Sequence, residues 1–251
     1  MTLTSAIRAE WIKVTTVWST RLALATFLLT VAGVSTGAVA AIGVAQARQD
    51  GASFDPATLA FYGLNFGHVA VIAFAVLLTG GEYTRRTIHA SLAAVPRRGV
   101  FLAAKLAVGT GLVLVTAAVT AVVTLLATQA FMGRYAVTLA TPGMLRATVA
   151  AALYPTLLAV VCMGVGVMLR DQTAALSLLV PFFFLVSPVL ELVPGLRRAA
   201  VFLPDRAGEV AVRLHSRPVD VFRPVMGLVI LAAWAAVAVL GAWLVLRRRD
   251  A

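Results

Sequence analysis

Few polar side chains fall within the long apolar runs of this sequence. They are Asn65, His68, Gln129 and Glu191. A polar group in apolar surroundings is costly unless it binds a partner, so we take Asn65, His68 and Glu191 as candidates for lining a substrate path. For His68, a hydrogen bond between helices is the alternative to a proton relay. Glu191 could instead form an ion pair, with Arg197 or Arg198 as the expected partner.

Signatures of hydrolases and metal sites are missing from the sequence. It contains no His-Glu-x-x-His, no Gly-x-Ser-x-Gly and no Gly-x-x-x-x-Gly-Lys-Ser/Thr. The histidines His68, His89 and His215 are far apart, and the one cysteine, Cys162, lies in an apolar run. These patterns predict no zinc hydrolase, serine hydrolase or phosphate-binding loop. We therefore expect a chain that is not an enzyme and binds no metal or cofactor itself.

Composition points to a lipid environment. Of 251 residues, 61% are hydrophobic and only 12% are charged, whereas soluble domains average about 25% charged residues. The net charge of +11 comes from short basic segments between the apolar runs. Such segments are typical of membrane topology signals rather than of a nucleic-acid surface. The sequence therefore predicts contact with a bilayer and no nucleic-acid partner.

Apolar runs long enough to cross a bilayer, which takes ~20 residues, occur six times. The predicted spans are about 22–45, 59–79, 100–132, 144–169, 173–192 and 224–246. Pro181 and Pro188 should kink or break the fifth, because proline removes a backbone donor. In the polar connection of residues 194–223, Asp205 after Pro204 predicts a short helix. The predicted fold class is an all-α integral membrane protein with one six-span domain, residues 22–251.

Residues 1–21 are too polar to be a span. Ile7, Trp11, Val14 and Trp18 recur at the spacing of one helical face. Tryptophan favours the headgroup region of a bilayer. We therefore expect an N-terminal amphipathic helix that lies at the membrane interface.

The connection after the second span has the composition of a short helix. Gly80-Gly81 is expected to end the span, and Pro96 closes the segment that connects it to the third span. Between them Ile88 and Leu92 share one helical face and basic residues occupy others. A basic loop that only fixes topology would have the same composition. The alternative is a docking helix for a cytoplasmic partner.

Two segments resemble the permeases of ABC-2 type transporters, particularly actinobacterial ones. Residues 80–105, GGEYTRRTIHASLAAVPRRGVFLAAK, have that family's Gly-Glu-aromatic start, Thr-Ile step, Pro-Arg-Arg and following Lys. Residues 9–24, AEWIKVTTVWSTRLAL, resemble its interfacial leader, and the six-span plan covers the whole chain. The resemblance implies an export permease with a second permease copy or paralogue and two cytoplasmic ABC ATPase subunits, which carry the ATP and Mg.

The resemblance also implies a coupling helix that contacts the ATPase. Its residues would be Glu82, Tyr83, Arg85, Arg86, Ile88, His89, Leu92, Pro96 and Arg97. Residues 194–223 would be external. Six spans put both termini on one side, and the excess of Lys and Arg there predicts that they are cytoplasmic, in a bacterial plasma membrane.

The few charges in the spans favour a hydrophobic or amphipathic substrate. The alternatives are a stand-alone secondary transporter or channel, and a structural or sensory membrane subunit that binds an ATPase without transport of its own.

Overall fold

Six helices of the computed structural model are long and apolar enough to cross a membrane, so the chain is a multi-pass membrane protein. The structure describes residues 2–84, 97–193, 195–215 and 221–248, and in these ranges it contains helices and no strand. The six spans are Trp18–Asp50, Leu64–Gly81, Arg98–Gln129, Met144–Leu169, Gln172–Leu192 and Pro224–Arg248. We call the end of the bundle that holds Trp18 and Arg248 the terminal end, and the opposite end the distal end.

Shorter helices flank or interrupt these spans. In chain order the α-helices are α1 (Leu3–Thr16), α2 (Trp18–Ala38), α3 (Val44–Asp50), α4 (Pro56–Ala60), α5 (Leu64–Thr84), α6 (Arg98–Gln129), α7 (Met144–Leu169), α8 (Gln172–Pro181), α9 (Ser187–Leu192), α10 (Arg197–Ala200), α11 (Pro204–Val212) and α12 (Pro224–Arg248). A π-helical segment, Val39–Gly43, joins α2 to α3 within the first span. Val17, in an extended conformation, separates α1 from α2.

The second span differs from its prediction at both ends. Gly80 and Gly81 lie at the end of the apolar span but do not end the helix, because α5 continues to Thr84. Gly80 instead lets α5 approach α8: a Cβ there would lie 3.1 Å from the Cα of Gln172. The predicted start at Leu59 is also wrong. Asp55 caps α4 as a separate helix by accepting hydrogen bonds from the N–H groups of its first turn.

The fifth span is interrupted where its prolines predict. A π-helical segment, Phe182–Val186, follows Pro181 and precedes α9. Proline lacks the N–H that would bond the preceding turn, so the regular ladder cannot continue through this region. Ser187, the first residue of α9 after this segment, is fully buried.

Helix α7 lies at the centre of the bundle and contacts α5, α6 and α12. In its most apolar window 67% of residues are buried, against 22% in the fifth and sixth spans. Those outer spans therefore keep broad apolar faces for lipid or for another chain.

The connection before the sixth span enters the bundle. The short helix expected after Pro204 is α11, and it packs against α7 and α12. Gly208 faces the ring of Tyr154 so closely that a Cβ would overlap it. At the C-terminus of α11 the Arg146 guanidinium donates to the carbonyls of Ala211, Arg213 and Leu214. Helix α11 is thus held at both ends.

Candidate functional sites

Most of the predicted coupling residues fall outside the described part of the chain. Arg85, Arg86, Ile88, His89, Leu92 and Pro96 lie there, and with them the predicted short helix. Glu82 and Tyr83 belong to the last turn of α5, and Arg97 immediately precedes α6. The segment 85–96 therefore connects the terminal ends of α5 and α6.

A buried ion pair lies beside those two helix ends. Lys105 of α6 donates from Nζ to Glu10 Oε2 of α1 at 2.9 Å and to the carbonyl of Leu78 in α5 at 3.2 Å. Lys13 donates to the other carboxylate oxygen of Glu10 at 2.8 Å. The exposed fractions of the Lys105 and Glu10 side chains are only 2% and 4%. We call Glu10, Lys13, Lys105 and the Leu78 carbonyl the terminal node.

The charge state of the terminal node depends on its packing. Burial alone would raise the pKa of Glu10, but the positive charges of Lys105 and Lys13 and their hydrogen bonds outweigh it and lower this pKa. Glu10 is therefore ionised at neutral pH. Two buried charges are stable only when they are paired and hydrogen-bonded, so the pair fixes how α1, α5 and α6 meet.

Further cations close the terminal end around the last span. Arg98 donates to the Leu246 carbonyl at 2.7 Å, and Arg170 approaches the Val245 carbonyl at 3.5 Å. Both carbonyls belong to the last turns of α12, where unsatisfied C=O groups and the helix dipole favour positive charge. The terminal end of α12 is thereby tied to the beginning of α6.

A second polar cluster lies toward the distal end, where α11 meets α9. Arg206 contacts three carboxylates: Glu209 at 2.9 Å, Glu191 at 3.1 Å and Asp205 at 3.2 Å. Asp205 Oδ2 accepts a 2.5 Å hydrogen bond from Ser187. We call Ser187, Glu191, Asp205, Arg206 and Glu209 the distal cluster.

Two aromatic rings connect the distal cluster to the helices behind it. Tyr154 donates its hydroxyl to the Asp205 carbonyl at 2.9 Å, and the His68 ring packs edge-to-face on Tyr154 at 4.8 Å. Tyr154 lies 15 residues before Leu169, or ~22 Å along α7. Tyr154 is therefore nearer to the distal end of α7, at Met144, than to its terminal end.

The structure brings together two of the three predicted substrate-path residues. His68 and Glu191 both belong to the surroundings of α11, and Asn65 is half-buried on α5 with no described bond to the cluster. Glu191 does form an ion pair, but its partner is Arg206 and not the predicted Arg197 or Arg198. Arg206 is better placed because α11 folds back against α9.

Several structurally central residues are not distinguished by the sequence patterns. Glu10 and Lys105 resemble ordinary topology charges there, and Tyr154 is an aromatic residue in an apolar run. The sequence carries one signal for this ion pair: Lys105 lies seven residues inside an apolar helix, and a charge at that position requires a buried partner. For Tyr154 no such signal exists, because its partner is a backbone carbonyl 51 residues away.

Compared with known proteins, the sequence matches no family model and no curated protein.

Proposed function

We propose that this chain is the membrane permease subunit of an ATP-binding cassette exporter, driven by a separate cytoplasmic ATPase dimer. One arrangement carries the proposal: residues 85–96, in the region of resemblance to ABC-2 permeases, are attached next to the terminal node. A force on this segment would act on α5 and α6 directly and on α1 through Lys105 and Glu10. A motor attached there could therefore move three helices together.

In the proposed mechanism, ATP binding closes the partner ATPases around the coupling segment. The rigid terminal node converts that displacement into tilting of α5 and α6. Apolar side chains exposed on α2, α6 and α12, such as Leu29, Val115 and Val237, then offer surfaces to lipid and to a second permease copy or paralogue. An apolar or amphipathic substrate is compatible with such surfaces.

Changing the coupling segment should disconnect the chain from its motor. We expect Glu82→Ala combined with Arg85→Glu to abolish co-purification with a co-expressed partner ABC ATPase and to abolish ATP-dependent export. The physical reason is that a charge reversal replaces attraction to the docking cleft with repulsion. Co-purification and transport into inverted vesicles are the measurements.

Arg134→Glu is the matched control for this experiment. Arg134 is exposed at the distal end and contacts its neighbour Tyr135, so its reversal should leave the complex intact. If the double variant still binds the ATPase and supports export, the coupling assignment is wrong. Export that continues without any ATPase would favour the secondary-transporter alternative.

The proposed topology can be tested because the one native cysteine, Cys162, is buried. We expect Arg134→Cys to react with a membrane-impermeant maleimide in intact cells. Arg248→Cys, exposed at the opposite end, should react only after the cells are permeabilised. The reverse pattern would place the terminal node and the coupling segment outside the cell, which would contradict the proposed function.

A further inference from the structure

The distal cluster holds more negative than positive charge. Arg206 faces Glu191, Asp205 and Glu209, and Arg213, just beyond α11, is the next cation within electrostatic reach of Glu209. Three carboxylates against two guanidinium groups leave an excess of one negative charge. Because Asp205 is only 2% exposed, water compensates that excess poorly.

Two buried atoms of this region have no hydrogen-bond partner in the described structure. They are Asp205 Oδ1 and His68 Nε2, and His68 is 4% exposed. An ionised carboxylate oxygen left alone at such depth costs more free energy than a protonated carboxyl group, which carries no net charge. The geometry thus favours one added positive charge at the cluster.

We propose that the distal cluster is a proton-binding site that shares one exchangeable proton among its carboxylates and holds α11 against α9 when the proton is bound. Among the residues described, no three His, Cys, Asp or Glu side chains converge as metal ligands do. A proton needs no cavity and matches the excess of one charge. This inference does not depend on the proposed transport function.

The electrostatics of the individual groups support this assignment. Burial raises the pKa of Asp205, against the opposing effects of Ser187 and Arg206. Burial also raises the pKa of Glu209 to about 7, with Arg206 opposing and Asp205 and Glu191 adding to it. The Glu209 side chain is still 24% exposed, and both of its carboxylate oxygens accept hydrogen bonds from Arg206 Nη1. These contacts favour the ionised form of Glu209. The more deeply buried Asp205 is therefore at least as good a site for the proton. The proton therefore belongs to the cluster as a whole.

Proton release should loosen the contacts that hold α11. Ionised together, Asp205 and Glu209 repel each other and Glu191, and Arg206 cannot neutralise all three. The Asp205–Ser187 hydrogen bond joins α11 to the interrupted fifth span directly. Deprotonation would thus act on the least regular part of the bundle, at its distal end.

The pH dependence of thermal stability tests the site. Between the ordinary glutamate value of 4.5 and about 7, the folded cluster binds more protons than the same groups do in the unfolded chain, so the contribution of the cluster to stability falls as pH rises through this window. Glu209→Gln with Asp205→Asn fixes the neutral forms of the cluster and leaves every other titrating group in place. We expect the melting temperature of the native chain in lipid nanodiscs, relative to that of this double variant, to fall by at least ~3 °C across the window.

Asp171→Asn provides the control, because Asp171 caps α8 at the terminal end, far from the cluster, and its removal should leave the slope unchanged. Equal pH slopes in the native chain and in the double variant overturn the proposal. Charging of His68, the other buried titratable ring beside Tyr154, contributes to both chains and cancels in this comparison. Infrared difference spectra of the native chain give a second readout that does not depend on the variants folding. Acidification through pH ~7 should increase the absorption of protonated carboxyl groups. If this absorption does not increase, the site is refuted.

Discussion

Glu10→Ala is expected to lower the free energy of unfolding by about 3 kcal/mol, because it takes the buried carboxylate away from Lys105. Lys105 is nearly inaccessible to water, so hydration cannot replace the lost charge. In a chain of this size the loss corresponds to a fall of roughly 6–12 °C in melting temperature. Thermal unfolding in lipid nanodiscs measures it.

Two further variants distinguish the effect of breaking the Glu10–Lys105 pair from the effect of any mutation in α1. Lys13→Ala removes a cation whose side chain is 44% exposed, and such a pair contributes up to about 1 kcal/mol. Glu10→Leu combined with Lys105→Met removes both buried charges, so most of the stability should return. If Glu10→Ala costs no more than Lys13→Ala, the terminal node does not fix the helices as described.

The same pair has a pH signature opposite to that of the distal cluster. The folded pKa of Glu10 lies below its ordinary value of 4.5, so the unfolded chain binds more protons in this range. The contribution of the pair is therefore complete above about pH 4.5 and is lost as pH falls through the lowered folded value. The two sites act in separate pH windows and can be measured in one titration series.

The six spans could be predicted from the sequence because crossing a bilayer depends mainly on apolar length. The ends of the spans depend on contacts as well. Local propensity predicts a helix end at Gly80, but the role of this glycine is the close approach of α5 to α8. Propensity and tertiary packing both select glycine, so the residue type alone does not distinguish them.

The polar sites were less predictable for a related reason. Glu10 and Lys105 are 95 residues apart, and nothing in their local sequence indicates that they meet. The sequence predicts a short helix at Asp205, but the burial of this residue depends on the packing of α11 against α7 and α12. Local patterns reveal that a charge sits among apolar residues, whereas only the fold reveals its partner.

Gly227→Ala should destabilise the fold by about 2 kcal/mol or more, because α11 and α12 touch at this glycine. A Cβ on Gly227 would overlap the carbonyl oxygen of Ala207 and lie 3.1 Å from the Ala211 amide nitrogen. Both atoms belong to the α11 backbone, so no side-chain rotation relieves the clash. Helix α11 cannot move freely either, since Tyr154 and Arg146 hold its two ends.

Gly111→Ala makes the same chemical change where no atom lies within 4 Å of the new methyl group. There, inside α6, alanine removes the conformational cost of glycine and should stabilise by up to ~1 kcal/mol. The two variants should therefore shift the melting temperature in opposite directions. Because Gly227→Ala separates α11 from α12 without changing any charge, it should also weaken the contacts of α11 with Ser187 and Glu191 of α9 and so reduce the pH dependence of stability. A variant that melts early but keeps the full pH dependence would show that the packing of α11 on α12 does not hold the cluster together.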